Sequence, residues 1–460
     1  MRSTVVRSAA AALALLCAGR APAQAPAAAA GQVRFEDYRL ANGLRVLLAP
    51  NPATPVVAVD VWYAVGSRDE RRGRTGFAHL FEHMMFQGSA NVGKGEHFQL
   101  VERAGGADYN GTTNTDRTNY YQVLPANRLN LGLWLEADRM RSLAVTPENF
   151  TNQREVVKEE RRLGVENRPY GAAFNSLLSD AVYDAAGCFG YAHSTIGSMD
   201  DLNAAPVDSV RAFHDLYYRP NNATLVVAGG FDPAEARRLV QEYFGNITAG
   251  PAPPRASCTR PFAAFPLRRT FRDANAQLPA VAAVYGIPPA GSADFAALQL
   301  LNVVLGQGES SRLYERLVKR ERAAVQIIPA LIEREGPSLA VYGALANQGV
   351  DPARIEALLE EELARVRDQG VTPAELEKAK NQLRASAAQE RQTALGVAEA
   401  LQTALFNHGD PGWVNRSLAA VLAATPADLQ RVARQYLSPA NRALAVVQPA
   451  GAAAPAPAPE

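Results

Sequence analysis

A chain of 460 residues is longer than a typical single hydrophobic core supports, so two or more domains are expected. Its 47 Lys plus Arg stand against 46 Asp plus Glu, a formal charge of +1, which offers neither the basic excess that holds a nucleic-acid backbone nor an acidic tail. Nucleic acid is excluded as an expected partner, and the 47% hydrophobic content is that of a globular protein.

At the N-terminus, Arg2 and Arg7 precede an apolar stretch from about Ala9 to Cys17, and Ala21-Pro22-Ala23 follows with small residues at the spacing of a cleavage site. This predicts a secretory signal peptide over residues 1–23, cleaved after Ala23, and an exported protein, periplasmic or secreted. The apolar run is well short of the roughly 20 residues that span a bilayer, so no stable membrane insertion is expected. Leu16 stands before Cys17 where a lipid-attachment site would want a small residue. After cleavage only Cys188 and Cys258 remain, too few for a disulfide scaffold, and their spacing leaves their pairing open.

The stretch YRLANGLRVLLAPNPATPVVAVDVWYAVGSRDE, 38–70, holds two β-rich runs around Asn42-Gly43 and Pro50–Pro55, predicted as neighbouring strands of one sheet. Helical patterns follow at about 75–87, 94–105, 126–142, 147–168 and 206–217, and ATLVVAGGF, 223–231, returns as a strand. Residues 33–247 therefore form a first domain of mixed α/β layers, and the Pro-rich 248–262 stretch is predicted as a linker. In 263–449 the layout recurs: LPAVAAVYGI is a strand, SADFAALQLLNVVLGQGESSRLYERLVKR gives a helix, a Gly-containing break and another helix, and RALAVVQP closes the unit. Placing FQGS, 86–89, against LGQGES, 305–310, puts HLFEH on QLLNVV, which has no histidine or glutamate. The low-complexity tail, 450–460, is expected to be disordered.

On a helix, His79 and His83 lie one turn apart on one face, with Glu82 beside them. Two imidazoles at that spacing can hold one zinc ion, and catalytic zinc takes a third protein ligand and keeps a position for water. A glutamate between them can accept a proton from that water, whose pKa the metal lowers. Phe77, Leu80, Phe81, Met84, Met85 and Phe86 cover most of the helix, so it is mainly buried, where a carboxylate is costly unless paired or metal-linked. The third ligand is sought in NQREVVKEERRLGVEN, where Val156 and Val157 are expected to face the core and the acidic candidates are Glu155, Glu159 and Glu160. KEERR equally has the look of a solvated face, and spacing alone does not choose among the three. The segment ADYNGTTNTDRTNYYQVLP, 107–125, reads by itself as a strand leaving a hairpin at Asn110-Gly111.

HxxEH in an exported two-repeat chain, with a V-x-x-E helix about 75 residues later, resembles the pitrilysin-type inverzincin metallopeptidases, peptidase family M16. The shorter branch, like mitochondrial processing peptidase and its bacterial relatives, fits best. The resemblance runs from Tyr38 to Pro449 and rests on VGSRDE, GFAHLFEHMMFQGS, NGTTNTDRTNYY, NQREVVKEERR and SSRLYERL in that order. It implies an α+β fold of two homologous α/β sandwich domains, each a mixed sheet with helices packed on it, in a clam-shell arrangement. It implies one Zn2+ per chain held by His79, His83 and Glu160, with Glu82 as the catalytic base. Asn110 falls on the edge strand that pairs with substrate, so Asn110 is expected to bond the backbone of a peptide or unfolded polypeptide.

Two departures qualify the resemblance. Gln153 stands where the family often has a second glutamate, which implies altered electrostatics around the metal ligands. Val318 and Val325 stand where the second repeat commonly carries an Arg and a Tyr that reach the substrate. The expectation is an exported zinc endopeptidase completed by a sister M16-type subunit as a heterodimer, with a homodimer as the other arrangement. The alternative is a non-catalytic assembly or binding subunit, which loss of HxxEH would mark.

Overall fold

The β-branched and aromatic runs of the N-terminal half assemble one six-stranded sheet: β1 (Glu36–Arg39), β2 (Arg45–Pro50), β3 (Val56–Tyr63), β4 (Ala107–Thr113), β5 (Thr118–Pro125) and β6 (Ala223–Gly229), in the order β1-β2-β6-β3-β5-β4. These elements belong to a computed structural model that describes residues 32–451. The signal peptide expected over 1–23 and nearly all of the tail expected over 450–460 lie outside them.

A turn through Asn42-Gly43 joins β1 to β2, and Gly43 takes φ +90° where another residue's Cβ would sit 2.8 Å from that of Asn221. The expected adjacency of the next run fails, because β6 enters between β2 and β3, parallel to the first and antiparallel to the second. The reason is burial on both faces: ATLVVAG is almost wholly apolar, and a central position suits such a strand better than an edge.

The second sheet contains β7 (Leu267–Asp273), β8 (Ala280–Ile287), β9 (Ala324–Ile332), β10 (Ser338–Ala346) and β11 (Arg442–Pro449), in the order β7-β11-β8-β10-β9. Strand for strand this repeats β2-β6-β3-β5-β4, with one parallel pair, β7 with β11, followed by antiparallel pairs. The sequence repeat is thus a repeat of topology. Two of these strands carry weak sequence signals: β7 is the polar run LRRTFRD, and β9 follows a charged stretch and contains Pro329.

Helices α1 (Phe77–Met84), α2 (Glu96–Arg103), α3 (Leu129–Ser142) and α4 (Pro147–Arg161) lie in the predicted segments, with α4 running on into a wider π-type turn over Arg162–Glu166. Their inner faces build the first core with β2, β3 and β6. Pattern reading passed over the shorter helices Gly171–Leu177 and Met199–Ala204 and the helix Pro233–Phe244.

The opposite face of each sheet is covered by the other half of the chain. Leu47, Ala58 and Val226 of the first sheet pack against Ala398, Leu401 and Ala404 of the helix Ala394–His408. Gln402 of that helix donates from Nε2 to the Thr224 carbonyl at 3.0 Å. Conversely, Val284, Val341 and Ala443 of the second sheet pack against Leu177, Val182 and Tyr183 of the first half. The predicted linker has no helix or regular strand, but Cys258 within it is disulfide-bonded to Cys188. The open question of these cysteines is answered by a bridge that ties the connecting stretch to the segment covering the second sheet. Among the described residues no helix is long and apolar enough to cross a membrane.

If the halves share this core, truncating Leu401, fully buried in it, should destabilise the first sheet although the residue lies in the second half. Leu401→Ala is expected to cost about 2–5 kcal/mol in urea unfolding, with both halves unfolding in a single transition.

Candidate metal centre

Helix α4 begins where Thr146 accepts a hydrogen bond from the Asn149 amide and Pro147 occupies the first helical position, two start signals in adjacent residues. It runs beside α1, and Val157 is fully buried while Val156 is 43% exposed. The expectation that both valines face the core is therefore corrected: consecutive helical residues point about 100° apart, so only one can.

That rotation carries Glu160 toward α1. Its Oε1 lies 3.6 Å from His79 Nε2 and its Oε2 lies 3.3 Å from His83 Nε2. One ligand atom from each of His79, His83 and Glu160 falls within 4.8 Å of the others. Ligands about 2.0–2.1 Å from one tetrahedral ion would stand roughly 3.3–3.4 Å apart, a spacing that each histidine's distance to the Glu160 carboxylate approaches. Glu155 and Glu159 point elsewhere, Glu155 to Lys158 at 2.7 Å and Glu159 to Arg162 at 2.8 Å.

The donor set also asks for a cation. Gln153, buried, lies with Oε1 3.3 Å from His83 Nδ1, and its Nε2 donates to Asn152 Oδ1 at 2.9 Å, the amide orientation in which His83 donates from Nδ1. His83 Nε2 then turns a lone pair toward Glu160 Oε2, which only a proton or a metal ion relieves. Burial pushes the His79 imidazolium down to about 4, with His83 adding to the effect and Glu160 opposing it. Burial also disfavours charge on His83, but the Glu160 carboxylate outweighs it and raises that group, while the bond to His83 lowers Glu160. A neutral imidazole and a carboxylate are the forms in which these groups bind metal.

Glu82 lies between α1 and the edge strand β4. Its Oε2 accepts a hydrogen bond from Thr113 Oγ1 at 2.6 Å, and burial raises its pKa against that bond and the charge of His83. Gly111 makes the approach feasible: a Cβ there would come 3.0 Å from Glu82 Cγ and 3.1 Å from the Tyr120 ring. Strand alternation therefore turns Gly111 and Thr113 toward Glu82 and Asn110 to the other face. Asn110-Gly111, expected at a hairpin turn, instead lies inside β4, and the turn to β5 comes at 114–117; Asn110 is exposed, and its Oδ1 accepts from the Gly111 amide. The structure thus brings together His79, Glu82, His83, Glu160 and Gln153, and leaves the Asn110 side chain outside the group. Thr113 and Gly111 lay within a motif singled out by sequence, but strand register was needed to see their part.

In the second half, the helix Phe295–Gly306 occupies the place of α1 and is apolar almost throughout. Val318 packs against that half's core and Val325 is 46% exposed on the edge strand β9. Arg322 between them takes φ +51°, a left-handed conformation that side chains seldom adopt.

Residues 45–186 match the family model described as insulinase (peptidase family M16), and residues 205–383 match the model described as peptidase M16 inactive domain. The chain is 29% identical over 423 residues to the zinc protease PqqE of Helicobacter pylori, spanning 90% of this chain and 93% of that one. It is 28% identical over 422 residues to an uncharacterized zinc protease of Mycobacterium tuberculosis, Rv2782c, spanning 91% and 94%. The crystal structure of a protease from Helicobacter pylori matches with TM-score 0.85 at 29% identity, over 91% of this chain and all of that one. The periplasmic protease PqqL of Escherichia coli shares the fold, with TM-score 0.73 at 21% identity over 92% of this chain and 48% of its own.

The contact between α1 and β4 predicts a steric cost. Gly111→Ala should destabilise the protein by about 1–3 kcal/mol, since the added methyl meets the fully buried Tyr120 ring at 3.1 Å and Glu82 Cγ at 3.0 Å. Urea unfolding of the variant beside the wild type measures it.

Proposed function

The chain belongs to peptidase family M16, and on that footing we propose that it is an exported zinc-dependent endopeptidase acting on peptides or unfolded polypeptide segments. The observation that carries the reading is the convergence of His79, His83 and Glu160 from two helices with Glu82 beside them. His79 and His83 would hold one zinc ion through Nε2 and Glu160 through its carboxylate. When bound, the ion supplies Lewis acidity toward the peptide carbonyl and lowers the pKa of a water.

The protein's own part is positioning and proton transfer. The Glu82 carboxylate takes the proton released as water attacks and returns it to the leaving amine. Thr113 holds that carboxylate in place through its 2.6 Å bond, and Gln153 keeps His83 in the tautomer whose Nε2 faces the metal. Among the described residues β4 pairs only with β5, so its outer edge is free to pair with an extended chain through main-chain hydrogen bonds. Recognition of this kind reads backbone more than side chain and suits unfolded substrates. The exposed Asn110 side chain would contact such a chain at the rim, away from the reacting carbonyl.

Export is supported by the N-terminal pattern of residues 1–23 and by the Cys188–Cys258 bridge, a bond that persists in oxidising compartments. A sister chain of the same fold is proposed as partner because Val318 and Val325 provide neither the positive charge nor the hydroxyl expected beside a substrate. The same two valines favour the second reading, a non-catalytic assembly subunit; the intact trio and Glu82 favour the first.

Glu82→Gln should lower peptide hydrolysis by roughly 100- to 10,000-fold while zinc content stays at one per chain, measured by metal analysis beside turnover of an unstructured peptide. Turnover near the wild-type rate would remove Glu82 from its role.

Glu160→Ala should lose zinc, whereas Glu159→Ala and Glu155→Ala should keep it. The reverse pattern would move the third ligand.

The chain purified alone should bind zinc yet cleave roughly 100- to 1,000-fold more slowly than with its sister chain, the usual cost of one missing oxyanion donor. Full activity alone would dismiss the heterodimer. No activity with the partner present would leave the assembly-subunit reading.

A further inference from the structure

Helix α1 is only eight residues long, and its N-terminus is held in an unusual way. The N-cap residue, Gly76, sits at φ +88° and has no side chain with which to cap the exposed amides. It cannot acquire one: a Cβ at Gly76 would lie 2.7 Å from the Ile196 carbonyl oxygen and 3.1 Å from Gly197 Cα. The capping comes from upstream. Glu70, nearly buried at 6% exposure, accepts the Gly76 amide at Oε2 (2.8 Å) and the Ala78 amide at Oε1 (2.7 Å). Ala78 immediately precedes His79, so the captured amide belongs to the turn that carries the first histidine.

The turn bearing Glu70 is itself tied to the other parts of the site. The amides of Ser67 and Arg68 donate to the carbonyls of Asn114 and Thr115, in the β4–β5 connection beside Thr113. Arg68 reaches Asp116 at 2.9 Å and Glu335 of the second half at 2.6 Å. On the opposite side, Gly197 packs against Gly76, and its carbonyl accepts from Arg161, the neighbour of Glu160, at 2.7 Å. The start of α1 is therefore fixed against both elements that meet its histidines and Glu82.

We propose that Glu70 is a positioning residue for the metal centre, a remote cap that holds helix α1 where His79 and His83 can share one ion with Glu160. This rests on the reading that the trio binds zinc. A metal site tolerates ligand displacements of only about 0.2 Å, so the axial position of α1 matters to the site as well as the packing of its buried side chains against the core. Two hydrogen bonds from the amides of the first turn to the Glu70 carboxyl group add to that packing at the end of the helix.

The test compares zinc dissociation constants, by chelator competition at a temperature where every sample is folded by circular dichroism. The samples are wild type, Glu70→Ala, Glu70→Gln and Leu429→Ala. Leu429 is fully buried in the second half's core, so Leu429→Ala lowers stability without touching the site. Glu70→Ala is expected to weaken zinc binding roughly 10- to 100-fold, as loss of a residue supporting metal ligands does elsewhere. Glu70→Gln, which keeps one acceptor oxygen, should fall between it and wild type, and Leu429→Ala should bind as wild type. Peptide turnover at saturating zinc should fall in kcat more than in KM for both Glu70 variants. If Glu70→Ala, or Glu70→Gln should the alanine variant not fold, binds zinc within twofold of wild type, Glu70 is only a stability residue and the proposal fails. Equal weakening by Leu429→Ala would overturn it too. A wild-type chain that takes up no zinc would refute the metal reading itself, and Glu70 with it.

Discussion

Two imidazole nitrogens and a carboxylate that point their lone pairs at one small volume repel one another unless a positive charge lies between them. The rest of the first half is arranged around that demand. His79 and His83 come from one face of a helix whose other faces are buried, so they cannot swing out to water. Glu160 comes from a second helix packed beside it, about half exposed, and enters from the solvent side. The site is thus closed behind and open in front, the geometry a ligand-exchanging metal requires and a structural one avoids.

Placing a carboxylate in such surroundings has its own cost, and Glu82 meets it with a short bond to Thr113 and contact with Gly111. Both partners lie on β4, an edge strand, so the proposed base and the proposed peptide-pairing edge are one assembly. The side chains that face Glu82 alternate with those that face away, which is why Asn110 falls on the far side.

The second half repeats the same strand order and carries none of this chemistry. Its helix Phe295–Gly306 fills the corresponding volume with apolar side chains. It is nonetheless packed against the first half: the helix Ala394–His408 covers the outer face of the first sheet and Glu335 reaches Arg68. One copy of the fold carries the polar site, and the other serves as the cover that keeps the first copy's sheet dry.

Periodicity by itself determined the two-unit α/β plan, the helix bearing HLFEH and the helix bearing KEERR, since these depend on local spacing that the chain carries in its own order. It placed both histidines and Glu82 on one helical face for the same reason. It could not choose Glu160 over Glu155 and Glu159, because the rotation of α4 is set by which of Val156 and Val157 finds a core to enter. It could not place β6 between β2 and β3, because strand order follows from which strand must be buried on both faces. Cys188–Cys258, the Thr113 bond and the Glu70 cap join residues far apart in sequence or across a turn of irregular backbone, where no period exists to read. The sequence by itself determined the chemistry available on each helix and strand; only the tertiary structure decided which of those groups meet, because meeting depends on packing between elements.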